Sequence, residues 1–217
     1  MSQVLNVNKT GKLYVVSAPS GAGKTSLVKA LMEATDKIGV AVSHTTRTQR
    51  PHEIDSVNYH FVDEVEFQAK VARGEFLEWA EVFSNHYGTS IEAANKILST
   101  GKDLMLEIDW QGAQQVRSAN ANNQSIFILP PSLKALSERL HHRAQDDEST
   151  VEKRMASAFE EISHYDEFDY LIVNDRFDDA LAELKAIVAG HGEQMSKAAR
   201  LPQLTALISD LLPQKVT

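Results

Sequence analysis

The stretch Leu13-Tyr14-Val15-Val16-Ser17-Ala18-Pro19-Ser20-Gly21-Ala22-Gly23-Lys24-Thr25 decides the fold. Its first five residues form a short apolar, β-branched and aromatic run that reads as a buried strand. Ala18 to Gly23 is small and glycine-bearing and reads as a turn. Lys24 to Ala34 carries Leu27, Val28, Leu31 and Met32 at helical spacing. Strand, turn and helix in this order are the setting that the phosphate-binding pattern G-x-x-x-x-G-K-[ST] requires. Gly21 and Gly23 let the backbone curl so that its N–H groups face phosphate oxygens. The helix beginning near Lys24 adds its positive dipole end. Lys24 brings a positive charge to the terminal phosphates, and the Thr25 hydroxyl can ligate Mg²⁺. Ala18 replaces the pattern's first glycine, which the loop tolerates if φ there is negative.

Outward from this loop, strands and helices alternate. Val40–Ser43 reads as a second strand, followed by a polar stretch, His44–Asn58, expected to be mostly exposed. Tyr59–Thr89 carries short apolar runs, many acids and Tyr59, Phe61, Phe67, Phe76, Trp79, Phe83 and Tyr87, the character of an inserted lobe. A helix over Ile91–Leu98 stops at Gly101. Leu104–Asp109 is a mostly apolar strand ending in acids. Ser125–Leu129 is a strand ended by Pro130-Pro131, and Ser132 is placed to cap a helix running to Arg143. A polar break, Gln145–Thr150, precedes a helix over Val151–His164. Tyr170–Val173 is a strand, and Phe177–Ala189 is an amphipathic helix. Short, continuously apolar strands alternating with helices imply an α/β fold with a parallel sheet covered on both faces. The tail, His191–Thr217, has Leu201, Leu204, Leu207, Ile208, Leu211 and Leu212 at helical spacing. It suits packing on the core or contact with a second copy of the chain.

Composition narrows the class. The chain has 217 residues, 42% of them hydrophobic, no cysteine and a net charge of −8. A disulfide scaffold, a thiolate metal site and a cysteine nucleophile are excluded. The acidic balance argues against nonspecific nucleic-acid binding. No apolar run approaches a membrane span, and Met1–Lys12 lacks a signal-like apolar region, so a cytoplasmic location is expected.

A phosphate loop needs an acid at the end of a neighbouring strand, and Asp109 suits that place, with Glu107 nearby, to hold a Mg²⁺-bound water. Asp109-Trp110-Gln111-Gly112 also matches the D-x-x-G element of GTPases. The Asn-Lys pair Asn95-Lys96 lacks the following residues of a guanine reader and precedes that element, which argues against a GTPase. Arg47 and Arg50, three apart among hydroxyls, make a compact anion site suited to a second phosphate.

The segment Ser43-His44-Thr45-Thr46-Arg47-Thr48-Gln49-Arg50-Pro51 resembles the signature of the guanylate kinase family, bacterial type. Phe76-Leu77-Glu78-Trp79-Ala80 and Asn85-His86-Tyr87-Gly88-Thr89 resemble its next blocks. Glu107–Gly112, the set Arg139, Arg143 and Arg154, and Ile172-Val173-Asn174-Asp175 follow in order. The resemblance spans about four-fifths of the chain. It implies a P-loop nucleoside-monophosphate kinase fold over 11–190, with a GMP-binding lobe near 45–90, a helical lid near 140–154 and a separate tail, 191–217. It implies transfer of the γ-phosphoryl of ATP, as MgATP, to GMP, with dGMP an expected second acceptor. That is a step of purine nucleotide metabolism and GMP recycling.

Residue by residue, the resemblance implies that Arg47, Arg50, Tyr59 and Tyr87 hold the GMP phosphate and that Glu78 and Ser43 read guanine. Guanine presents N1–H and N2–H₂ on one edge, and a carboxylate accepts both; adenine presents an acceptor at N1 and is rejected. Thr89, Glu107 and Asp109 join the GMP side. Ala18, Pro19, Ser20, Gly21, Ala22, Gly23, Lys24, Thr25, Arg139, Asn174 and Asp175 form the ATP side, with Mg²⁺ on Thr25 and, through water, on Asp109. Lys24, Arg50, Arg143 and Arg154 stabilise the charge that spreads over the transferring group. The GMP phosphate is already an anionic nucleophile and needs no general base. His44, His60, His86, His141, His142, His164 and His191 are therefore expected at the surface, and Phe61, Phe76 and Trp79 in the lobe's small core. GMP is expected to close the lobe and ATP the lid, excluding water. Two rivals are a noncatalytic binding module of the same family, against which Lys24, Arg50 and Arg143 speak, and a kinase of another nucleoside monophosphate, against which Glu78 and Ser43 speak.

Overall fold

A computed structural model of the chain describes residues 11–82, 84–120, 122–143 and 148–212. The expected leader up to residue 10, Phe83, residues 145–147 of the polar break and the end of the tail, 213–217, lie outside them.

In chain order the first elements are β1 (Leu13–Ser17), α1 (Lys24–Ala34), β2 (Ile38–Val40), β3 (His44–Thr45), β4 (His60–Phe61) and α2 (Glu64–Ala72). Next come β5 (Phe76–Val82), β6 (Asn85–Ser90), α3 (Ile91–Ser99), β7 (Asp103–Glu107) and α4 (Trp110–Ala119). The last are β8 (Asn123–Leu129), α5 (Leu133–Arg143), α6 (Glu148–Ser163), β9 (Tyr170–Val173), α7 (Phe177–Val188) and α8 (Lys197–Leu211). The main sheet has the order β2-β7-β1-β8-β9, and β2 with β7 and β8 with β9 pair in parallel. All of β1 is buried, as are Leu104, Met105 and Leu106 of β7 and Ile126–Leu129 of β8. Strands covered on both faces cannot alternate polar with apolar, which is why these runs are continuous. The α/β fold read from the sequence is the one observed.

The described residues fall into two compact units, 11–15 with 35–123 and 16–34 with 124–212. The first contains a second sheet of order β4-β3-β6-β5. β3 pairs in parallel with β4 and antiparallel with β6, and β5 pairs antiparallel with β6. Asp63 caps α2 through the Glu66 N–H at 2.8 Å, and Ser90 caps α3 through the Ala93 N–H at 3.1 Å. Phe67 is fully buried and stacks on Phe76 with ring centroids 4.6 Å apart.

In the second unit Ser132 caps α5 through the Ala135 N–H at 3.0 Å, as expected. α8 packs against β9 and buries Leu204 and Leu211. Its start is tied down by the Lys197 N–H to the Asp169 carbonyl at 2.7 Å and by the Arg200–Glu183 ion pair. Half of the choice left open for the tail is thereby visible: its apolar stripe covers its own unit.

Several expectations need correction. The expected strand Val40–Ser43 is split: β2 ends at Val40, and the chain re-enters a different sheet at His44. The following stretch is not uniformly exposed, since His44 and Thr45 are buried. Trp79 points outward at 37% exposure, and Phe67 takes the core place expected of it. α6 starts at Glu148, inside the expected break. Asp109 does not end β7 but caps α4, accepting from the Gly112 N–H at 2.7 Å.

His44 is not a surface histidine. Its ring lies 4.7 Å from that of His60 and edge-on to Phe76 at 5.4 Å, and its Nδ1 is buried without a hydrogen-bond partner. Burial first, then the charges of His60 and Lys70, push its pKa from 6.5 down to about 4, against the smaller pull of Glu75 and Asp55. The unfolded chain binds this proton near pH 6.5 and the folded one only near pH 4. The neutral ring's contribution is therefore complete above the unfolded value and is lost as pH falls through this window. Replacing His44→Phe should make the fall of Tm from pH 7 to about 4.5 shallower than in the parent protein. Thermal melts across that range check it; parallel slopes would contradict it.

Candidate active site

The phosphate loop is built inside the second unit. Gly21 and Gly23 have φ of 88° and 92°, the left-handed region that side chains with a Cβ resist. A Cβ at Gly23 would also stand 2.4 Å from the Asn174 side-chain nitrogen. Non-glycine residues with positive φ are Ser56 and Ser84 among the described residues, so Ala18 meets the condition under which it replaces glycine. The loop closes on itself through the Ala22 N–H to the Pro19 carbonyl at 3.0 Å. Lys24 and Thr25 open α1, with Lys24 half-buried and Thr25 exposed.

Side chains from distant elements hold this loop. Asn174, buried just after β9, donates its amide to the Ala22 carbonyl at 2.7 Å. Arg139 on α5 donates Nη2 to the Asn174 carbonyl at 2.9 Å, while its Nη1 is buried without a hydrogen-bond partner. The Ser20 N–H donates to the Glu161 carboxylate on α6 at 2.8 Å. Asn174 thus shapes the loop, and Asp175 beside it is exposed. Glu161 carried no local signal in the sequence. Arg154 on α6 is half-buried, and the side chain of Arg143 lies outside the described residues.

The first unit gathers the other expected residues. Glu78 is 4% exposed, and its carboxylate accepts the Thr89 N–H at 3.0 Å. The hydroxyls of Thr89 and Ser43 are 3.0 Å apart. Strand pairing explains the approach, because Glu78 lies opposite Thr89 in the β5–β6 register. A register shift between Phe76 and Glu78 puts an extra residue just before the carboxylate, and such bulges re-aim side chains.

Beside this group, Tyr59 and Tyr87 set their rings 5.9 Å apart, and the Arg47 guanidinium lies 5.5 Å from the Tyr59 ring centre. Burial, then the charge of Glu107, push the Tyr59 hydroxyl up to about 12, so it stays protonated as a donor. Glu53, which sequence reasoning missed, accepts from Arg47 Nη2 at 2.7 Å and from the Arg50 N–H at 2.9 Å. Burial works to raise the Glu53 pKa, but the bonds from Arg47 and Arg50 outweigh it and hold it low. The only hint was an acid three positions after Arg50 in a loop that also contains Arg47. Arg50 itself is exposed, and Glu107 is half-buried at the end of β7.

A buried acceptor deprived of its donor costs about 1–3 kcal/mol. Replacing Asn174→Leu strands the Ala22 carbonyl and should lower Tm while raising KM for ATP about tenfold, the equivalent of about 1.4 kcal/mol, with KM for GMP unchanged. Steady-state kinetics with each nucleotide varied in turn check it; an unaltered KM for ATP would refute the role.

The sequence profile of the guanylate kinase family matches residues 10–191. Guanylate kinase of Alkalilimnicola ehrlichii is 54% identical over 202 residues, covering 93% of this chain and 98% of its own. That of Methylococcus capsulatus is 52% identical over 202 residues, with 93% and 98% covered. The crystal structure of guanylate kinase from Anaplasma phagocytophilum superposes with a TM-score of 0.69 at 31% identity, covering 92% of this chain and 96% of that one. A glycine-bearing phosphate loop in one unit, a buried carboxylate beside an arginine and two tyrosines in the other, and these likenesses along nearly the whole length agree: the chain belongs to the guanylate kinase family.

Proposed function

We propose that the first unit binds GMP, that the second binds ATP with Mg²⁺, and that the residues gathered in each perform the family's reaction, transfer of the γ-phosphoryl of ATP to GMP. The observation that carries this is the Glu78 carboxylate, 4% exposed and aimed by the Thr89 N–H. A carboxylate held there accepts guanine N1–H and N2–H₂ and meets a lone pair on adenine. The paired hydroxyls of Ser43 and Thr89 extend the polar edge. Arg47, with Tyr59 and Tyr87, supplies the donors for the GMP phosphate, and Arg50 acts with them. Glu53 pre-orients Arg47, and an arriving phosphate competes for the same guanidinium.

On the donor side the loop N–H groups and Lys24 take the β- and γ-phosphates. Arg139 serves this side through its bond to the Asn174 carbonyl. Among the described residues no cluster of three or more His, Asp or Glu is arranged to hold a metal. One hydroxyl ligand suits Mg²⁺, which keeps waters and phosphate oxygens in its shell. Thr25, exposed in the first turn of α1, fits that role. Mg²⁺ so held would neutralise charge on the phosphates. Arg143 and Arg154 stabilise the equatorial oxygens during transfer. The nucleophile is the GMP phosphate itself, so no side chain needs to remove a proton. Among the described residues no helix is long and apolar enough to cross a membrane.

The test is ADP formation from ATP and Mg²⁺ with GMP, AMP, UMP and CMP, beside the Lys24→Ala protein. GMP should be preferred over AMP by on the order of 10⁴ in kcat/KM. Lys24→Ala should lower kcat by about 10²–10³. Equal turnover of GMP and AMP, or ATP turnover without an acceptor, would refute the reading.

A further inference from the structure

The helix that follows β7 carries a D-x-x-G-x-x-Q pattern whose Gly112 and Gln115 have no part in the reaction as described. Asp109, Gly112 and Gln115 are spaced by three and so share one face of the start of α4. Asp109 caps the helix through the Gly112 N–H at 2.7 Å. A Cβ on Gly112 would stand 2.5 Å from Glu78 Oε2, closer than such atoms ever approach. One turn on, Gln115 clamps the backbone of Trp79, the residue after Glu78. The Trp79 N–H donates to Gln115 Oε1 at 3.1 Å, and Gln115 Nε2 donates to the Trp79 carbonyl at 2.6 Å.

These contacts answer a mechanical problem. β5 is the edge of its sheet, with β6 on one side only. The register shift just before Glu78 weakens the ladder where the carboxylate must be placed most accurately. The Gln115 amide supplies the donor and acceptor that a neighbouring strand would have given Trp79. Gly112, on the same face, leaves room for the carboxylate.

We propose that Gly112 and Gln115 are positioning residues for base discrimination: they fix where the Glu78 carboxylate meets guanine, without touching the nucleotide. The proposal rests on the reading that Glu78 accepts from the guanine edge. IMP is a sensitive probe, since its base keeps N1–H but lacks the 2-amino group, so a misplaced carboxylate loses GMP affinity first.

The experiment measures kcat and KM for GMP, KM for ATP, the GMP-to-IMP ratio of kcat/KM, and Tm. The variants are Gln115→Met, which keeps the length of an exposed side chain and removes both hydrogen bonds, Gly112→Ala, and Glu78→Gln as the control on the underlying reading. Gln115→Met should raise KM for GMP about five- to tenfold, and Gly112→Ala more. Both should lower the GMP-to-IMP ratio at least about threefold, with KM for ATP unchanged. If Glu78→Gln abolishes the preference for GMP over IMP while Gln115→Met and Gly112→Ala stay within twofold of the parent, the inference is wrong and the reading of Glu78 stands. If Glu78→Gln keeps that preference, the reading fails and the inference with it. A rise in KM for ATP equal to that for GMP, with a fall in Tm, would mark a merely structural role and overturn the proposal.

Discussion

The Thr89 N–H held against the Glu78 carboxylate at 3.0 Å is the constraint on which the first unit turns. A carboxylate kept at 4% exposure is costly unless hydrogen bonds meet its oxygens. The β5–β6 pairing places that donor, the irregular register aims the side chain, and the start of α4 leaves it space. A sheet of four short strands has little core of its own, and the stack of Phe67 on Phe76 with His44 at its edge supplies one. Burying His44 there makes the unit sensitive to acid, a consequence of packing an imidazole where an apolar ring would serve.

The second unit solves a different problem. A loop that turns on two left-handed glycines must be held in shape from behind. Asn174, Arg139 and Glu161 do this from three elements far apart in the chain. Apolar packing holds the same turn, since a Cβ on Gly21 would press on Leu136 and Leu140 at 3.1 Å. In the function proposed above, charge for the phosphates comes from Lys24 and the arginines.

Legibility in the sequence followed the locality of the physics. β1, the loop and α1 were readable to the residue, because an apolar run, two glycines and a helical period meet there. The two-residue strands β3 and β4 have no period to detect, and the pairing of β3 with β4 and β6 is tertiary, so the sequence alone presents His44 and Thr45 as exposed loop. Asp109 reads as the end of a strand because the apolar run leads into it; its capping bond to Gly112 is a helix signal that competes with that run. Glu78, Ser43 and Thr89 stand out in the sequence only through resemblance, and the fold brings them together. Gln115 lies 36 positions from Trp79 and Asn174 lies 152 from Ala22, so no local pattern could announce those contacts.

The most direct test of the account is a crystal structure of the protein with GMP bound. It predicts the guanine N1 and N2 atoms within about 3.2 Å of the Glu78 carboxylate, with the phosphate on Arg47, Tyr59 and Tyr87. A base bound elsewhere, with Glu78 still turned onto Thr89 and making no contact with it, would contradict the account.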